Sequence, residues 1–177
     1  MTTDTACCLV TDNLAHAASR LWQKDCGSMP VVDEGNHVRG MITDRDICMA
    51  AFVTGKPLAD LNVGDSMAKD VSGIGPDDSL LAAEMLMRSR GVHRLPVVDP
   101  DGQLLGMLCC NDLLRWVDDG GSLGTKPSDA VRLVRTLAAI GRPRSSVPVE
   151  PVDGTVKPPV PARAVEPQSS SAVGVKP

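Results

Sequence analysis

Aromatic residues are nearly missing from this chain: it has no tyrosine, one phenylalanine (Phe52) and two tryptophans, Trp22 and Trp116. Its core must therefore be built from Ala, Val, Leu, Ile and Met. No run approaches the roughly 20 apolar residues of a membrane-spanning helix. The start Met1-Thr2-Thr3-Asp4 lacks the basic and apolar regions of a secretory signal, so a cytoplasmic location is expected. Excess positive charge is absent as well. A net charge of −4 argues against a general nucleic-acid binder, which would be basic.

Metal-binding and catalytic patterns are also wanting. The six cysteines, at 7, 8, 26, 48, 109 and 110, include no Cys-x-x-Cys, and two adjacent pairs suit tetrahedral zinc poorly. In a reducing compartment they are expected as buried or half-buried thiols acting as small apolar residues. The minor alternative is a redox switch through Cys7-Cys8 or Cys109-Cys110. His16, His37 and His93 lie in unlike contexts, with no nucleophile elbow, phosphate loop or metal-ligand spacing around them. No catalytic residue and no metal site is expected, and the chain does not read as an enzyme.

What is present is a repeat. Gly40-Met41-Ile42-Thr43-Asp44-Arg45-Asp46-Ile47 returns 66 residues later as Gly106-Met107-Leu108-Cys109-Cys110-Asn111-Asp112-Leu113. The same offset carries Pro30-Val31-Val32-Asp33 onto Pro96-Val97-Val98-Asp99 without a gap. Two copies in register argue for two small α/β modules built alike. Residues 1–60 are assigned to the first and 61–118 to the second. The stretch 61–66 precedes the second copy but has no partner upstream of the first.

Within each copy the pattern predicts helix, hairpin, helix. Asp12 or Thr11 can cap a helix with Leu14, Ala17, Ala18 and Leu21 on one face. Its counterpart opens at Asp77 or Asp78, with Leu80, Ala83 and Met87. Strands are expected at 29–32 and 38–43, around the turn Asp33-Glu34-Gly35-Asn36. The second hairpin turns at Asp99-Pro100-Asp101-Gly102, where Pro presets φ and Gly tolerates a positive one. A helix follows each hairpin, the first over about 44–53. Beyond the copies, a helix over 127–141, opened by Pro127-Ser128, shows Ala130, Leu133, Val134, Leu137 and Ala138 as an apolar stripe that needs a surface to cover, in this chain or a second one. From 142 to 177 the composition turns Pro- and Ser-rich, with eight of the 14 prolines and no aromatic residue, and predicts a disordered tail.

The strand-to-helix junction after each hairpin carries the candidate chemistry. Free backbone N–H groups and the positive end of the helix dipole meet there and suit an anionic ligand. Thr43 and Asp46 have the spacing of a capping box, which satisfies those amides internally. The same pair can also face a ligand, since a carboxylate accepts hydrogen bonds from both hydroxyls of a ribose. In the second copy Cys109 replaces the threonine, and a thiol is a poor donor and acceptor. Asn111 can cap that helix instead, and Asp112 remains. His93-Arg94 places imidazole beside guanidinium, a sensible phosphate clamp. The first copy has Gly27-Ser28 there and no charge; Arg45 is its nearby cation.

These motifs resemble the tandem cystathionine-β-synthase (CBS) domain family: a Pro-Val-Val-Asp strand, a turn, then Gly-apolar-x-Thr/Ser-x-x-Asp, twice. The run Val92-His93-Arg94-Leu95-Pro96-Val97-Val98-Asp99 is similar to the gamma subunit of AMP-activated protein kinase. The resemblance covers roughly residues 1–118. It implies an α/β fold of two β-α-β-type repeats about a pseudo-twofold axis, joined here by the C-terminal helix and tail. It implies an adenine nucleotide (AMP, ADP, ATP or a related compound) as regulatory ligand, with no cofactor otherwise expected. The contacts it implies are Thr43 and Asp46, with Asp on the ribose, Asp112 in the second copy, and His93 and Arg94 at phosphates; Arg45 is added for its position. A homodimer that signals to an unknown protein partner in trans, binding neither nucleic acid nor membrane, completes the expectation. The alternative is a structural adaptor that dimerises without a ligand.

Overall fold

The computed structural model describes residues 5–123 and 129–141. The expected disordered tail and the cap Pro127-Ser128 lie outside them. The first described element, absent from the sequence reading, is a two-residue strand, β1 (Cys8–Leu9), lying parallel to β2 (Ser28–Val32). Between them runs α1 (Leu14–Gln23), which buries Leu14, Ala17 and Leu21 as the periodicity requires. Its cap is Asn13, whose side chain accepts from the His16 N–H, rather than Asp12 or Thr11. Asp12 is engaged one turn earlier, accepting from the Leu9 N–H at 2.8 Å.

Strand β2 turns back through β3 (Val38–Thr43), in a register that sets Ser28 opposite Thr43 and Val31 opposite Gly40. The turn is held by Asp33, which accepts from the Gly35 and His37 N–H groups and from Arg39. Those backbone hydrogen bonds, and then the Arg39 guanidinium, hold the Asp33 carboxyl well below the usual carboxylate range. Gly40 is demanded by a close approach: a side chain there would meet Met67 and fall 2.9 Å from the Ala68 carbonyl. Helix α2 (Asp44–Thr54) follows β3 directly, and Gly55 ends it at φ 65°.

The segment 61–66, expected to lead into the second copy, packs on the first. After a 3-10 turn (Leu58–Asp60) comes the one-turn helix α3 (Val63–Ser66), whose Val63 is fully buried with Leu14, Val31 and Ile42. The Leu14 N–H donates to the Leu61 carbonyl, the Val63 N–H to that of Asp12, and Met41 exchanges backbone hydrogen bonds with Ala68. Burial of each such aliphatic side chain stabilises by about 1.5–3 kcal/mol.

The second repeat copies this plan with α4 (Leu80–Arg90), β4 (Arg94–Val98), β5 (Leu104–Cys109) and α5 (Cys110–Asp118). Ser79 caps α4, whereas Asp78 accepts from the Gly75 N–H. Helix α6 (Asp129–Ile140) covers α4 and α5. Its buried positions are Asp129, Leu133, Thr136 and Ile140, so the expected stripe is split. Leu133 and Leu137 face the repeat; Ala130, Val134 and Ala138 face outward. A polar group pins the helix. Glu84 of α4, with no solvent exposure, accepts from Arg132 Nε at 2.8 Å and from the Thr136 hydroxyl.

The repeats meet through equivalent residues, as a twofold relation requires. The Val38 N–H donates to the Gly102 carbonyl at 3.1 Å, and the Leu104 N–H to that of Asn36 at 2.9 Å. Each repeat keeps its own aliphatic core. The aromatics are left outside: Trp22 is 88%, Phe52 59% and Trp116 49% exposed. Of the thiols, Cys8 and Cys110 are buried as expected, but Cys48 is exposed on α2. Burial, with Asp12 and Cys7 alongside, pushes the Cys8 thiol up to about 12.

Candidate functional site

At the end of β3 the backbone is extended at Thr43 (φ −119°, ψ 160°) and then turns into α2, leaving the first helical amides to be satisfied. Thr43 and Asp46 do this reciprocally. The Asp46 N–H donates to Thr43 Oγ1 at 3.1 Å, and the Thr43 N–H donates to Asp46 Oδ2 at 3.0 Å. The threonine hydroxyl donates to the same Oδ2 at 2.7 Å. The capping-box reading is therefore realised. Two of these contacts hold the carboxylate, both through Oδ2, so Oδ1 of this half-buried group takes no hydrogen bond from the described residues.

The second repeat forms the same box with a thiol in place of the hydroxyl, a weaker acceptor that donates no hydrogen bond to the carboxylate. The Cys109 N–H donates to Asp112 Oδ2 at 2.9 Å. Cys109 occupies the cap position and Asn111 is exposed beyond it, so the expected asparagine cap does not form.

Arg94 joins the two repeats. It stands opposite Cys109 in its own hairpin, yet its Nη1 donates to Ser28 Oγ at 2.7 Å. Ser28 in turn stands opposite Thr43, and directly opposed residues of an antiparallel pair project to one face with Cβ atoms roughly 4.5–5.5 Å apart. A guanidinium from the second repeat thus reaches the strand end that carries the Thr43–Asp46 pair. Sequence reasoning assigned no role to Ser28. The signal was available: Ser28 and Arg94 are equivalent positions, and equivalent positions meet where a twofold axis passes between them. His93 and Arg45 are exposed, and no side-chain hydrogen bond or ion pair ties either to this cluster.

Two cavities border the first repeat. The larger, about 570 Å³, lies between α1 and α2 and includes none of Thr43, Asp46 or Arg94. The smaller, about 340 Å³, lies against β1 and the Asp33-Glu34-Gly35 turn. Among the described residues no group of three His, Cys, Asp or Glu side chains could hold a metal ion. Nor is any helix of theirs long and apolar enough to cross a membrane.

The CBS domain family matches this chain over residues 1–52 and 60–119, the same two repeats. The chain belongs to the CBS domain family. A CBS domain-containing protein of Bacillus subtilis, YhcV, is 34% identical over 113 residues, 64% of this chain and 79% of its own length. An uncharacterised 17.7 kDa protein of Acidianus ambivalens is 33% identical over 120 residues, 67% of this chain and 71% of its own. Among solved structures, CBSX2 in complex with AMP superposes with a TM-score of 0.59 at 24% identity, covering 67% of this chain and 92% of that one. The CBS pair thus has the mixed α/β architecture the repeats predict.

Proposed function

We propose that this CBS pair is a regulatory module that binds an adenine nucleotide where Thr43, Asp46 and Arg94 converge. The observation that carries the reading is the Arg94–Ser28 hydrogen bond, because it brings a cation of one repeat to the strand pair of the other that ends at Thr43. In this reading the free Asp46 oxygen accepts from ribose hydroxyls while Thr43 holds the carboxylate in place. Arg94 exchanges Ser28 for phosphate, with His93 and Arg45 lending exposed donors at the rim. Asp112 serves a weaker second position, since Cys109 supplies no hydroxyl to fix it. The AMP complex of the similar CBSX2 supports an adenine ligand. Binding would bias conformations of a homodimeric module, since a ligand shifts only states it distinguishes, and the output would pass to a protein partner in trans.

One observation favours a ligand-free adaptor instead: the capping box already accounts for Thr43 and Asp46. Thermal melting with a panel of adenosine, AMP, ADP and ATP separates the two. A ligand present at 100 times its dissociation constant adds about 2.7 kcal/mol of stability. Arg94→Ala should weaken these ligands in order of phosphate charge and spare adenosine. No shift with any of the four would leave the adaptor reading standing.

A further inference from the structure

The two repeats differ in what covers their helices. Helix α6 begins at the position equivalent to the start of α3, 66 residues earlier. In the first repeat the chain stops after one turn, because Ala68 pairs with Met41 and leads on to the second. In the second repeat the helix continues for three turns, burying Leu133 and Ile140 against Met87 and Leu113. The equivalents of those two residues, Leu21 and Ile47, line the open cavity of about 570 Å³ between α1 and α2. The first repeat therefore has the groove of the second without the helix that fills it.

We infer that the groove receives the outward face of α6 from a second copy of this chain. Helix α6 carries an apolar stripe on its outward face: Val131 is 55% and Val134 64% exposed, with Ala130 and Ala138 beside them. An exposed apolar stripe along one helix face suits burial against a second surface. Charge agrees. The groove carries Asp25 and Asp44 and no lysine or arginine, and exposed Arg135 lies on the outward face of α6. The inward face cannot serve, because Arg132 needs the carboxylate of Glu84, and the equivalent groove residue is Ala18. A twofold operation generates the contact twice and closes the pair. The fully projecting Trp22 lines the groove and is covered on docking.

The test is molar mass by light scattering on the full chain, with Trp22→Glu, Val134→Glu and Arg135→Glu. All three positions are exposed, and an unchanged melting curve verifies each fold. Wild type should be a dimer, the first two variants monomers, and Arg135→Glu should dimerise roughly tenfold more weakly or worse, a loss of about 1.4 kcal/mol. Mixing Trp22→Glu with Val134→Glu should restore a heterodimer, since one groove and one helix face remain intact between them. Independently, oxidised Val134→Cys should form an intermolecular disulfide with the exposed Cys48 of the groove. A monomeric wild type would overturn the inference. So would a dimer that survives Val134→Glu but not Trp22→Glu, which means groove against groove, or a mixture that yields no heterodimer.

Discussion

Replacing Asp46 by alanine removes two things at once, and the second repeat supplies the control that separates them. The first loss is the cap. Asp46 Oδ2 accepts from the Thr43 N–H and hydroxyl, and losing such a cap costs about 0.5–2 kcal/mol. The second is the free oxygen Oδ1, assigned above to the ribose. A hydrogen bond to a charged group is worth about 1.5–3 kcal/mol, and each 1.4 kcal/mol is tenfold in affinity. Asp46→Ala should therefore weaken nucleotide binding by about tenfold to over a hundredfold. Asp112→Ala removes the comparable cap from Cys109, so it should cost similar stability. It should leave the strong site close to wild type. Denaturation midpoints and titration calorimetry on both variants measure the two quantities separately. Equal affinity losses, or an Asp46→Ala protein that binds like wild type, would show that the ligand lies elsewhere.

Two further outcomes follow from the buried polar groups. Arg132→Met leaves the Glu84 carboxylate buried with only the Thr136 hydroxyl, and breaking a buried pair costs about 3–5 kcal/mol; because Arg132 is partly exposed, about 2–4 is expected. Adding Glu84→Leu should recover most of it, and a double variant no more stable than Arg132→Met in urea denaturation would refute this account. For Cys8 the thiol pKa is raised on folding, so the folded chain holds its proton longer and its stabilising contribution is full below the usual thiol range. That contribution is lost as pH rises from about 9 toward 12, so Cys8→Ala should melt with a shallower alkaline decline than wild type.

Much of the fold was legible because the repeat is gapless. Two hairpins, their turns at Asp33 and Asp99, and the helices after Thr43 and Cys109 all stand where strand alternation and cap chemistry put them. These are local decisions made by side chains within a few residues of each other. The capping box at Thr43 and Asp46 was readable for the same reason. Tertiary structure decided the rest. No periodicity could show that Leu61 and Val63 close the first core, since that depends on which groove the chain crosses. The stripe on α6 misread its face because Glu84, 52 residues from Thr136, draws the polar Arg132 and Thr136 inward and turns Val134 out. Arg94 reaches Ser28 only because a twofold axis brings equivalent residues together. Spacing along the chain determines what a residue can do to its neighbours; the symmetry of the packed repeats determines which distant residue it meets.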